Sequence, residues 1–394
     1  VKPLAISAFT TVSALGRGHA ATLAALRGQR GGLRPNPLDG ARLETWVGRV
    51  DGLESAIDGP LAAYDCRNNR LALAALAQDG FDRQVASARA KYGADRIAVI
   101  IGTTTSGIAA TERAYSERDA GNAPLPAWFR YRETHNVFSV SDFVRQQLAL
   151  AGPASAISTA CSSSAKVFAS AHRLIDAGYV DAALVGGVDS LCLTTLYGFN
   201  SLQLLSPHAC RPCDEQRDGI SIGEAAGFAL LERADAQAGG MALLGYGESS
   251  DAYHMSTPHP QGDGAVAAIQ GALARAGLEP GDIDYVNMHG TGTRSNDAAE
   301  DLALYRVFGN AVPCSSTKGW SGHTLGAAGM LEAIFSLLCI QHAFIPGSLN
   351  LRQLDPQLKS HIAIAPAERR LRRVLSNSFG FGGSNCSLVF GEAP

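Results

Sequence analysis

One cysteine and two histidines carry the first chemical signal in this chain. Cys161 lies in Ser158-Thr159-Ala160-Cys161-Ser162-Ser163-Ser164-Ala165, where an apolar strand gives way to a helix. The first turn of a helix has unpaired N–H groups and the positive end of a dipole, and both favour a thiolate. The small neighbours leave room for a substrate to reach the sulfur. A buried, inert thiol is the alternative reading of this segment taken alone.

His289 opens the turn His289-Gly290-Thr291-Gly292-Thr293 directly after an apolar strand. Glycines permit a tight turn and close backbone approach to a ligand, and the Thr291 and Thr293 hydroxyls can bond an amide-bearing arm. Lys318 stands five residues ahead of His323 in a Gly-rich stretch that runs into a Gly/Ala-rich helix. An ammonium beside an imidazole is a costly arrangement for structure alone. Glu300 has two readings: a capping box with Asp297, or a functional carboxylate paired with Lys318. Near the C-terminal end, Asn377-Ser378-Phe379-Gly380-Phe381-Gly382-Gly383-Ser384-Asn385 is a Gly-rich loop. Such a loop can turn a backbone N–H toward a developing oxyanion, or it can be a plain turn. A thiol, two imidazoles and an ammonium are residue types suited to covalent nucleophilic catalysis, and on residue types alone a Cys-His hydrolase is also conceivable.

The elements that must hold these residues read as α/β. Arg96 to Ile101, Ala182 to Val185, Ile283 to Met288 and Asn385 to Phe390 are short apolar runs bounded by glycine or turn residues, as buried strands are. Arg70 to Gln78 and Ala265 to Ala276 are rich in Ala and Leu and read as helices. One pattern occurs twice. Ser155 to Thr159 is a strand followed by Cys161 and a helix through Val167, Phe168, Ala171, Leu174 and Ile175. Ala311 to Ser315 is a strand followed by His323 and a helix through Leu325, Met330, Ile334, Leu337 and Leu338. Both helices carry apolar residues at three-to-four spacing. We read two similar halves, 1–240 with the cysteine and 241–394 with the histidines, meeting near residues 235 to 245.

Bulk properties agree with a globular protein. The 394 residues are 46% hydrophobic and 18% charged, enough apolar side chain for a buried sheet. A net charge of −3 offers no general case for nucleic acid. No uncharged apolar run predicts a transmembrane helix, and Val1 to Gly16 lacks the pattern of a secretory signal. The 8 cysteines are scattered rather than arranged as a framework, which fits a reducing cytoplasm. Cys210 and Cys213 form one C-x-x-C without a second pair, so no metal site is expected.

Taken together, Thr159-Ala160-Cys161-Ser162-Ser163, the His289 turn, the Lys318 to His323 segment and the Phe379 loop resemble the β-ketoacyl-acyl carrier protein synthases of types I and II. Asp214-Glu215-Gln216-Arg217-Asp218-Gly219 and Gly223-Glu224-Ala225-Ala226 extend the likeness over nearly the whole chain. The resemblance implies a thiolase-like fold, five-layered α-β-α-β-α, built from two similar halves, and an acyltransferase that performs decarboxylative Claisen condensation with malonyl-acyl carrier protein. It implies Cys161 as nucleophile, His289 and His323 as the catalytic pair, Lys318 as support and Glu300 as a structural carboxylate. Phe379 matches the gating aromatic residue, its N–H forming an oxyanion hole with that of Cys161. Thr291 and Thr293 would bind pantetheine, and Thr105 with Phe199 would line the acyl pocket. Arg67, Arg70 and Arg130 would dock the acidic acyl carrier protein. No cofactor is implied, since substrates ride on the carrier's phosphopantetheine. The implied assembly is a homodimer, or a heterodimer with a chain-length factor.

Some features depart from the family's pattern. Gly319-Trp320 replaces a small residue and Met, which would reshape the entry or a partner surface. Thr104 and Thr105 stand where a large apolar residue is usual, and their hydroxyls need partners beside an acyl tail. With Tyr197 to Gln203, these differences resemble ketosynthases of aryl-polyene pathways. A biosynthetic thiolase would need a second reactive cysteine, and Cys386 is followed by Ser and Leu rather than by the required glycine pattern. The nonenzymatic alternative is a chain-length-factor-like subunit, which would typically lack the nucleophile.

Overall fold

The computed structural model describes every residue except 39, 41, 119–123, 235–239 and 394. Ten of the eleven described strands of the large sheet fall into two sets of five, and the short Gly16–Arg17 strand pairs with Leu4–Ser13 at the margin. In the first set, Leu4–Ser13 lies beside Ala225–Arg233, then Ala182–Asp189, Ile97–Gly102 and Ala154–Ile157. In the second, Met241–Ser250 lies beside Ser384–Glu392, then Arg373–Gly380, Tyr285–Asn287 and Cys314–Ser315. The neighbour relations match pair for pair. Each set has two antiparallel junctions followed by two parallel ones. The sets join where Leu4–Ile6 pairs with Met241–Leu243. The fold is thus thiolase-like, two similar halves in one α/β body. The junction read near residues 235 to 245 falls partly outside the described residues.

Two helices form the middle layer. Ser163–Asp176 packs on the Ile97–Gly102 and Ala182–Asp189 strands, Ala328–His342 packs on Arg373–Gly380, and the helices touch each other. The outer layers are Arg67–Leu76, Phe81–Tyr92 and Ser139–Gln147 on one side and Asp263–Ala276 with Arg294–Phe308 on the other. A helix between two sheets must be apolar all round, and every residue from Ala328 to Ile340 is buried. The helical stretch Leu325–His342 is apolar and long enough to cross a bilayer by length and composition, but it carries Glu332 and nearly all of it lies inside the protein as its core.

The middle helices come close because Gly329 lacks a side chain: a Cβ there would lie 2.7 Å from Ala165 N and 2.8 Å from Ala165 Cβ. Each strand-to-middle-helix connection therefore delivers its reactive residue to the same seam, Cys161 from one half and His323 from the other.

Candidate active site

Cys161 sits at a sharp elbow between the Ala154–Ile157 strand and its helix. Ala160 takes the left-handed backbone region at φ 52°, which an L residue adopts only at a cost. Three short hydroxyl contacts stitch the elbow. Ser162 Oγ donates to Thr159 O at 2.9 Å, Ser163 Oγ donates to Ala160 O at 2.5 Å, and Thr159 N donates to Ser163 Oγ at 2.9 Å. The serines after Cys161 thus hold the nucleophile's turn.

His289 follows Tyr285–Asn287. Its N–H and that of Gly290 donate to the Glu300 carboxylate at 2.8 and 2.7 Å, and Asn377 Nδ2 adds a third bond at 3.1 Å. Glu300 therefore clamps the turn and does not pair with Lys318. Nor does the capping box form: Thr293 caps the Arg294–Phe308 helix, while Asp297 accepts from Cys213 N and Gly292 N. Burial pushes the Glu300 carboxyl up to about 7, against the pull of the two N–H donors. The ammonium of Lys318 is instead paired with Glu332 and also donates to His289 O. Glu332 was missed because it is one acid in an apolar helix; that isolation is the signal that could have found it.

His323 is held by backbone bonds to the Ser221–Gly223 segment, with His323 N donating to Ser221 O at 2.7 Å. Its Nε2 lies 3.1 Å from Cys161 Sγ. The His289 and His323 rings stand 5.2 Å apart at 86°. One ligand-type atom from each of Cys161, His289 and His323 falls within 4.8 Å of the others.

The ring protons follow from the neighbours. Lys318 Nζ approaches His289 Nδ1 at 3.3 Å, and Leu325 N donates to His323 Nδ1 at 3.1 Å. Burial, reinforced by Lys318, holds both imidazoles well below their usual range, so both are neutral. A neutral ring whose Nδ1 accepts must carry its proton on Nε2. Both rings thus offer Nε2–H to the shared space. A metal-binding histidine needs the reverse, donating from its second nitrogen, so this cysteine and two histidines are a poor metal cage despite their donor types.

Burial pushes the Cys161 thiol up to about 11, while Lys318 and the backbone N–H groups of Phe381 and Cys161 pull it down. The helix mouth was expected to favour a thiolate; in the resting protein burial outweighs it. The same contact corrects the gate. The N–H that faces the thiol is that of Phe381, not Phe379. Phe379 still pairs with Asn385 inside the strand ladder, whereas Phe381 lies in the turn beyond it. Phe379 instead sets its ring 6.2 Å from that of His289.

An open cavity of about 590 Å³, mouth included, reaches Cys161, His289 and His323 and is walled by Phe199, Phe379 and Phe381 among others. Thr291 and Thr293 line it, their hydroxyls 3.0 Å apart. Phe199 packs on Phe381 at 5.7 Å. Thr105 is not on this wall: it is buried and its hydroxyl donates to Asp189 Oδ1 at 2.8 Å. Trp320 is likewise buried in the core and absent from the cavity lining, so it does not reshape the entry. Arg67, Arg70 and Arg130 line one surface groove with Arg113 and Trp128. Two of them are already committed. Arg67 grips the fully buried Glu224 in a fork at 2.5 and 2.9 Å, and Arg70 grips Asp65 at 2.6 and 2.7 Å. Arg130 is exposed.

Comparison with known proteins fits this geometry. Residues 68–237 match the family described as β-ketoacyl synthase, N-terminal domain, and residues 241–352 match β-ketoacyl synthase, C-terminal domain. The chain is 39% identical over 311 residues to 3-oxoacyl-[acyl-carrier-protein] synthase 2 of Rhizobium meliloti (strain 1021), covering 74% of this chain and 73% of that one. It is 36% identical over 315 residues to the Staphylococcus aureus protein of the same name, covering 75% and 77%. Among solved structures it resembles the ketosynthase ApeO in complex with its chain length factor ApeC from Xenorhabdus doucetiae, with TM-score 0.90, 41% identity and coverage of 99% and 98%. The ishigamide ketosynthase/chain length factor gives TM-score 0.88, 29% identity and coverage of 99% for each chain.

Proposed function

The chain belongs to the β-ketoacyl synthase family and is an acyltransferase that condenses acyl and malonyl thioesters, and from that premise we propose how its own residues divide the work and which acyl groups it extends. Cys161 Sγ attacks the carbonyl of an acyl-carrier thioester, the Sγ proton is passed to the departing carrier sulfur, the carrier leaves as a thiol, and an acyl-cysteine remains. The N–H groups of Cys161 and Phe381 hold the oxyanion of each tetrahedral intermediate. Malonyl-carrier then enters with its thioester oxygen between the His289 and His323 Nε2–H groups. Loss of carbon dioxide leaves an enolate on that oxygen, and each donor contributes a few kcal/mol to its stability. The enolate carbon attacks the acyl-cysteine, Cys161 leaves as thiolate, and a 3-oxoacyl thioester departs. Decarboxylation supplies the carbanion, so neither a strong base nor a metal or organic cofactor is required. Lys318 keeps His289 in the donating tautomer, and Thr291 and Thr293 bind the pantetheine amides.

The observation that carries this reading is the capping of both Nδ1 atoms by N–H donors. It argues equally against a noncatalytic chain-length-factor-like role, for which the trio would have no use. For the primer we propose an aryl or polyunsaturated acyl group, and for the assembly a heterodimer with a chain-length-factor-like partner, with a homodimer as the other arrangement. The likeness to a ketosynthase solved with its chain length factor supports the partner. So do Tyr115, Trp128, Tyr131, Val137 and Phe138, large apolar side chains left exposed within one stretch of chain. The carrier would dock at the Arg130 groove, in the cytoplasm, where eight free cysteines are at home.

A condensation assay with malonyl-carrier and a panel of acyl-carriers tests the primer. Aryl and polyenoyl carriers should be extended faster than saturated medium-chain ones. Equal or better use of the saturated primers would reject this substrate class.

A further inference from the structure

Asp189 ends the Ala182–Asp189 strand and is fully buried. Its carboxylate accepts six hydrogen bonds, and every donor is neutral. Oδ1 takes Thr103 Oγ1, Thr104 N, Thr105 N and Thr105 Oγ1, each at 2.8 Å. Oδ2 takes Thr104 Oγ1 and Gly326 N, each at 2.6 Å. A buried carboxylate without a cation persists only when its lone pairs are filled. Five donors come from one loop of the first half. The sixth comes from the second half, three residues after His323.

That sixth bond bears on the imidazole. Between His323 and Gly326 stands Leu325, in the left-handed region at φ 56°. A bulky residue takes that conformation only when its surroundings hold it there. Leu325 thereby aims its N–H at His323 Nδ1, 3.1 Å away. Gly326 suits its place because a Cβ would lie 2.8 Å from Asp189 Oδ2. We infer that Asp189, filled by Thr103, Thr104 and Thr105, is a positioning residue that anchors the Leu325 turn and so keeps the His323 Nε2–H directed at Cys161 and the substrate oxygen. Thr104 and Thr105, expected at the acyl pocket, are thereby drawn with Thr103 into this clamp. Release of Gly326 lets Leu325 relax, uncaps Nδ1 and frees the ring proton to move there.

The inference rests on His323 acting as a donor, and the test separates the two ideas. Thr104→Val removes one hydroxyl at nearly constant volume, Thr104→Ser keeps it, and Asp189→Asn replaces an acceptor oxygen by a donating amide. His323→Ala serves as the reference. Each variant is assayed for kcat and KM in condensation, for thermal midpoint, and, with ¹⁵N-labelled histidine, for the His323 ring nitrogen shifts. The expected result is a roughly tenfold fall in kcat for Thr104→Val with KM little changed. Recovery in Thr104→Ser and a larger fall in Asp189→Asn should accompany it, with a His323 shift pattern no longer that of an Nε2–H tautomer. Wild-type kcat and tautomer in both Thr104→Val and Asp189→Asn would overturn the inference, as would a lowered thermal midpoint with turnover intact. Undiminished turnover in His323→Ala would instead overturn the donor role itself. Should Asp189→Asn not fold, the Val and Ser pair at Thr104 decides the matter.

Discussion

At the residue scale the site is a thiol facing two neutral imidazole donors. Cys161→Gln leaves both donors in place and removes the acyl acceptor. Condensation should vanish while malonyl-carrier decarboxylation continues, which trapping of released carbon dioxide would show; loss of both activities would contradict the division of roles. The buried imidazoles also have a pH signature. Their pKa values are lowered on folding, so below the unfolded value of about 6.5 the unfolded chain binds more protons than the native one. Each ring's contribution to stability is therefore complete above that pH and is lost as pH falls toward the folded value. Glu300 and Glu332, raised to about 7, act in the opposite sense and offset the rings in wild type. His323→Asn should thus gain stability relative to wild type as pH drops from about 7.5 to about 5.5, by roughly 1.4 kcal/mol per pH unit below about 6.5. Urea midpoints at the two pH values would reveal it, and a pH-independent difference would refute it. The reactive residues were legible because each lies in a turn of small residues after a strand. Glu332 was not, since its partner is made by tertiary packing. Thr105 misled for the same reason: its partner, Asp189, lies 84 residues away in the chain.

At the element scale the two middle helices do the positioning. Gly329 sits where the Ala328–His342 helix meets Ala165. Gly329→Val would force them apart and cost about 1–3 kcal/mol as an overpacked core. It should also lower turnover beyond what the thermal shift explains, because the seam carries Cys161 on one side and the His323 turn on the other. A lowered midpoint with unchanged kcat would show that helix spacing does not set the site. The repeated strand-residue-helix pattern was readable because helix and strand periods differ. Phe379 and Phe381 were not separable, because the boundary between ladder and turn lies between them and Gly-rich sequence does not mark it.

For the whole molecule, the basic groove is where charge meets structure. Reversal of Arg67 would strand the buried Glu224, at a cost of about 3 kcal/mol or more, and would report on folding. Arg130→Glu should instead raise KM for the carrier several-fold with little change in thermal midpoint; an unchanged KM would remove Arg130 from the docking surface. The apolar strand runs, the Ala/Leu-rich helical stretches and the repeated strand-residue-helix pattern were enough to read an α/β body of two halves. The surface on which a partner sits was not readable, since it is a product of tertiary assembly.

The condensation turns most directly on an acyl group carried by one sulfur. The protein is incubated with acyl-carrier and digested for peptide mass spectrometry, before and after malonyl-carrier is added. The acyl mass should appear on Cys161 alone and disappear as 3-oxoacyl-carrier forms. Product formation with no acyl adduct on Cys161, or with the adduct on another residue, would contradict it.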